Sequence, residues 1–167
     1  MSKNIFFIKL LLLFFTSILS HTVFAEKDFY VLNSHYKTSQ TMFNLSDGSN
    51  YNTWTMKGSW TDNFSNFGSV NCVGQAQSSK KKDLFIYGVC EIKDEKKLKK
   101  WWTIERNVGV TEIGVGKSIQ LAAEGYWSVL NGANCNYAIK HGEEYSYSIT
   151  KCKITRNQAE SLSNKVN

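Results

Sequence analysis

The chain of 167 residues contains no proline and only three histidines, and its four cysteines include no C-x-x-C pair. These scarcities remove whole classes of protein. Once the N-terminal leader argued below is set aside, only His35 and His141 remain, one near the N-terminus and one in a turn. No Ser/His/Asp catalytic set can be assembled from them. Two histidines and unclustered cysteines lack zinc-ligand spacing, so neither a metal nor a cofactor is expected. No internal repeat and no interdomain linker is visible, which points to one domain. The apolar run Ile5 to Leu19, interrupted by Lys9, is too short to span about 30 Å of hydrocarbon, so no membrane span is expected.

That run reads instead as an export signal. Lys3 and Lys9 give a basic start, Leu10 to Ile18 an uncharged apolar core, and Thr22-Val23-Phe24-Ala25 the small residues that signal peptidase needs. Cleavage after Ala25 is expected, with the mature chain starting at Glu26. No cysteine stands at that point to accept a lipid. Without Lys3 and Lys9, 18 basic residues face 14 acidic ones, a charge of +4. That favours solubility and little else. The expected location is periplasmic or secreted.

Cys72, Cys90, Cys135 and Cys152 form an even set in such an exported chain, which suggests disulfides. Hairpin geometry selects the pairing. A turn centred on Lys81 brings Cys72 opposite Cys90, nine residues to either side. A turn centred on Gly142-Glu143 leaves Cys135 and Cys152 two residues out of step, a gap that a bulge or a longer loop closes. The expected bridges are therefore Cys72–Cys90 and Cys135–Cys152.

The pattern behind the leader is β. Residues 26 to 40 have no clear period. Thr53 to Thr61 alternates, with Trp54, Met56, Gly58 and Trp60 on one face. Leu84 to Ile92 is almost wholly apolar and reads as a central strand. Trp102 and Ile104 oppose Thr103 and Glu105, and Cys135, Tyr137 and Ile139 oppose Asn134, Asn136 and Lys140. Tyr145 to Ile154 is a further strand, and a phase change near Thr150 suggests a bulge. Asp47-Gly48-Ser49-Asn50, Asn131-Gly132 and His141-Gly142-Glu143 mark turns. Only Asn157 to Val166 has a helical pattern, and it reads as a frayed polar tail.

Several segments invite a chemical reading. Gly114-Val-Gly116-Lys117-Ser118 resembles the end of a phosphate-binding loop, but position 111 is Thr111, and the strand-then-helix setting is missing. It reads better as a strand whose glycines serve a bend or a close strand crossing. Lys80-Lys81-Lys82 and the cluster Lys93, Lys96, Lys97, Lys99 and Lys100 would sit at opposite ends of a meander, as solvated loops rather than a nucleic-acid surface. Glu91, Glu105, Glu112 and Glu124 are the acids considered for a cavity. Glu91 and Glu105 are the weak candidates for a buried catalytic carboxylate. Trp54, Trp60, Trp102, Tyr126 and Tyr137 fall on core-facing phases and could line a pocket for a small apolar ligand.

The stretch Gly58-Ser-Trp60-Thr-Asp62-Asn-Phe-Ser-Asn66-Phe-Gly68 leads to Cys72-Val-Gly74. With Cys90-Glu91, Trp102, Gly114-Val-Gly116-Lys117-Ser118, Cys135-Asn-Tyr137 and Lys151-Cys152, it resembles uncharacterised small exported bacterial proteins. Those are similar to allene oxide cyclase-like and lipocalin-like barrels of the calycin type. The resemblance spans about 58 to 155 and rests on turns, glycines and cysteines, so it implies a fold rather than an activity. No catalytic residue of allene oxide cyclase matches a position here. Where relatives carry Gly-Thr-Gly-Lys and an aromatic, this chain reads Ala122-Ala-Glu124-Gly125-Tyr126-Trp127.

The expectation is an all-β protein. The signal occupies 1–25, an N-terminal segment with the first strand 26–50, the core 51–155 and the polar tail 156–167. The core is a single antiparallel barrel of about eight strands with two disulfides. The leading expected function is non-enzymatic binding of a small apolar or aromatic ligand inside the barrel. An isomerase-like or cyclase-like enzyme and an envelope interaction scaffold are the alternatives.

Overall fold

A computed structural model describes residues 28–79, 83–109 and 113–165. The expected signal 1–25, Lys80-Lys81-Lys82, Thr111 and Glu112 lie outside them.

Eight strands run up and down in chain order and close on themselves: β1 (Phe29–Asn44), β2 (Asn50–Asp62), β3 (Phe67–Ser78), β4 (Asp83–Asp94), β5 (Lys99–Gly109), β6 (Ile113–Ala123), β7 (Asn134–His141) and β8 (Ser146–Lys153). Every neighbouring pair is antiparallel, and β1 pairs with β8 to complete the barrel. Closure removes the free sheet edges that would otherwise recruit other strands. A six-residue 3₁₀ helix, Gly125–Leu130, lies between β6 and β7. The helix α1 (Arg156–Asn164) follows β8.

Alternation decides what faces inward. Trp54, Met56 and Trp60 of β2 are buried, as are Val70 and Cys72 of β3 and Cys90 and Ile92 of β4. The interior phase of β4 is thus Ile86, Gly88, Cys90 and Ile92, while Phe85, Tyr87 and Glu91 stand outside. Two strands depart from expectation. Residues 29 to 36 alternate after all, with Tyr30, Leu32, Ser34 and Tyr36 inward. β8 keeps one phase throughout, with Ser146, Ser148, Thr150 and Cys152 inward, so the bulge near Thr150 is absent. Both strands turn hydroxyls into the barrel, where Tyr36 Oη and Ser148 Oγ bond at 2.8 Å. A register break does occur between β5 and β6, where Leu121 is left without a partner.

Both bridges form as expected, Cys72–Cys90 and Cys135–Cys152. Each joins directly opposed residues. The β7–β8 mismatch is absorbed by a longer loop, since the pairing ends at His141 and Ser146. All four cysteines are buried inside the barrel.

The end of the barrel where β1 starts and β8 finishes is packed solid. Trp127 of the 3₁₀ helix meets Trp60 edge-on at 5.8 Å and Tyr30 at 6.1 Å. Asp94 ties this lid down, accepting from Tyr126 Oη at 2.7 Å, Trp127 Nε1 at 2.9 Å and the Leu98 amide at 2.8 Å. Lys100, expected in a solvated loop, is instead fully buried here. Its ammonium lies 3.4 Å from the Trp127 ring centre and 4.1 Å from that of Trp60, and donates to Tyr30 Oη at 2.6 Å.

The C-terminal segment is a capped helix rather than a frayed tail. Thr155 and Gln158 form a reciprocal capping box, and Gln158 Nε2 donates to the Val129 carbonyl at 2.7 Å. Ala159 and Leu162 are buried. Thr155→Ala removes the cap and is expected to lower stability by about 1 kcal/mol. A urea midpoint unchanged by that substitution would mean that α1 does not fold with the barrel.

Candidate functional site

The opposite end, which carries the connections after β1, β3, β5 and β7, holds a cavity of about 230 Å³. That exceeds the roughly 150 Å³ that accommodates benzene in an engineered protein cavity. Its apolar walls are Trp54, Met56, Ile86, Ile104, Tyr137 and Ile139. Thr38, Gln40, Asn52, Arg106 and His141 supply polar groups. The disulfides lie deeper on the same strand faces: Cys135 is two residues below Tyr137, and Cys90 four below Ile86.

Glycines set the shape of this cavity. A Cβ at Gly74 or at Gly88 would overlap the Trp54 indole, so that ring reaches over both residues, across β3 to β4. A Cβ at Gly116 would stand 2.5 Å from Tyr137 Cε1, so the phenol lies over β6 in the same manner. At Gly114, two residues along the same face, a Cβ would overlap Nη1 of Arg106. The Gly114-Val-Gly116 segment is therefore a strand hollowed to seat a guanidinium and a phenol side by side. This is the close-approach role of strand glycine, and it answers the resemblance to a phosphate-binding loop.

The polar side of the cavity is electrostatically biased. Arg106 is 95 % withdrawn from solvent, its relative exposure being 5 %. None of the described residues that line the cavity is acidic. Burial pushes the His141 imidazole below its ordinary pKa, and the neighbouring Arg106 charge adds to the fall, so His141 is neutral at pH 7. Its Nδ1 shares a hydrogen bond of 2.8 Å with Ser146 Oγ. Burial raises the Tyr137 phenol, and Arg106 opposes that rise.

Two of the five aromatic candidates, Trp54 and Tyr137, line the cavity. Trp60, Trp102 and Tyr126 belong to the packed end, where Trp102 stacks on Tyr30 at 6.2 Å. Both candidate carboxylates fail to reach the interior. Glu91 stands on the outer face and pairs with Lys99 at 3.0 Å, with about a third of each side chain exposed. Glu105 is exposed on the outer face of β5. Glu124 precedes the 3₁₀ helix without capping it, and its carboxylate accepts from the Lys99 amide of β5 at 2.9 Å. Arg106 and His141 were not anticipated. The signal for Arg106 was present: it continues the inward phase of Trp102 and Ile104.

No family model matches the chain, and no curated protein or solved structure matches it. The class that the geometry defines is a closed eight-stranded antiparallel barrel with two internal disulfides and a cavity at one end.

Proposed function

We propose that the protein is an exported, calycin-like barrel that binds a small apolar or aromatic molecule in its cavity without transforming it. The observation that carries this reading is the cavity of about 230 Å³, walled by two aromatic rings and five aliphatic or thioether side chains. Concave, mainly apolar sites with a few polar groups are the usual form of small-molecule pockets. Export fits the two disulfides, which persist in oxidising compartments. A carboxylate-driven isomerase or cyclase finds no support in Glu91 or Glu105, since neither faces the cavity.

Titration of ¹⁵N-labelled protein with 2-methylnaphthalene is the test. It is expected to shift amide signals around Trp54, Ile86 and Tyr137 and to leave those of α1 unmoved. Ala76 also lines the cavity. Ala76→Phe should fill it, weaken binding at least about tenfold and change the melting temperature little. A titration without shifts at the cavity strands would sink the reading.

A further inference from the structure

We infer that the cavity selects planar aromatic monocarboxylates, with the ring system between Trp54 and Tyr137 and the carboxylate on Arg106. The inference rests on the ligand-binding reading above and narrows it to one chemical class.

Planarity follows from the walls. Trp54 lies over Gly74 and Gly88 on β3 and β4, and Tyr137 lies over Gly116 on β6. Tyr137 is carried by β7, and in a closed ring of eight strands β3 and β7 stand across from one another. Both rings line the one cavity, and an aromatic guest gains from offset stacking on such rings.

The charge follows from Arg106. Its guanidinium lies over Gly114, next to the Tyr137 ring along the same strand face. A guanidinium carries five N–H donors in a fixed fork, so it can hold a protein neighbour and still present a pair of donors to a carboxylate. Low local dielectric strengthens such a contact. Neutral His141 and the Thr38 hydroxyl add uncharged hydrogen-bonding groups on the same lining.

The experiment compares three probes of one shape on the wild-type protein at pH 7: 2-naphthoate, 2-naphthamide and 2-methylnaphthalene. 2-Naphthoate is expected to bind at least tenfold more tightly than 2-naphthamide. Arg106→Gln and Gly114→Ala should each shrink that ratio towards one, while 2-methylnaphthalene affinity changes less than threefold. Gly114→Ala acts by displacing the guanidinium, so it tests position without removing the charge. Equal affinities for naphthoate and naphthamide in the wild-type protein would overturn the carboxylate inference and leave ligand binding standing. No binding of any of the three would overturn both. Because the first comparison needs no variant, a misfolded mutant does not blunt it.

Discussion

Replacing Cys72 and Cys90 together by alanine is expected to lower the melting temperature by about 10–15 °C. The two cysteines are 18 residues apart, and their bridge ties β3 to β4 at a directly opposed pair. A loop of that length costs the unfolded chain about 3 kcal/mol of closure entropy. For a domain of this size each kcal/mol moves the melting temperature by about 3–5 °C. Alanine is the right probe because the site is buried; serine would add a hydroxyl without a partner. Cys135–Cys152, with a separation of 17, should behave alike. Both bridges together account for about 6 kcal/mol, comparable to the whole stability of an ordinary domain. The variant lacking all four cysteines is therefore expected to be unfolded at 37 °C. Circular dichroism melts check both statements, and a fall of less than about 3 °C for the Cys72/Cys90 pair would refute the first.

The barrel was legible in the chain wherever inward residues are apolar. Trp54, Met56, Gly58 and Trp60 announce their strand by period two, and the spacing of Cys72 and Cys90 around one turn fixes a register. The reading failed on β1 and β8 because their inner faces carry Ser34, Ser146, Ser148 and Thr150. Hydroxyls in that phase look like a solvent face, and the outward Tyr147 and Ile149 look like the core. The helix α1 was legible as Thr155-x-x-Gln158, a capping box, but its low apolar content hid it. The site was legible only in part. Trp54 and Tyr137 follow from alternation, whereas nothing in sequence says which ring lies over which glycine. Trp60, Trp102 and Tyr126 share the same kind of phase, and only the fold assigns them to the packed end. β5 is the instructive case. Lys100, Trp102, Ile104 and Arg106 share one phase, so a cation enters the barrel at each end. Treating charges as markers of solvent concealed both.

Lys100→Met is expected to raise stability at pH 6 and to abolish a rise in stability that the wild-type protein shows between pH 7 and 10. Burial drives the Lys100 ammonium down from its ordinary value to about 7, while Asp62, Asp94 and Glu95 oppose the fall. The indole faces of Trp127 and Trp60 oppose it as well, at about 2 kcal/mol for a desolvated contact. Desolvating an ammonium costs several kcal/mol and exceeds that compensation. The sign is set by which state holds the proton. Between about pH 7 and 10.5 the unfolded chain keeps the lysine proton while the folded chain has released it, so stability climbs with pH across that interval. Below pH 7 both states are protonated and the full penalty applies, on the order of 5 kcal/mol at about 1.4 kcal/mol per pKa unit. Tyr30 and Tyr126 act in the opposite sense. Burial raises both phenols, with Asp62 and the Asp94 hydrogen bond respectively adding to it, so their contribution is lost above about pH 10. The wild-type curve should therefore peak near pH 10. Methionine forfeits the bond to Tyr30 Oη, worth about 1 kcal/mol, which leaves a net gain on the order of 4 kcal/mol at pH 6. Urea midpoints measured from pH 6 to 10 for both proteins decide it. Parallel curves, or a methionine variant weaker than wild type at pH 6, would show that the aromatic cage holds the charge at no net cost.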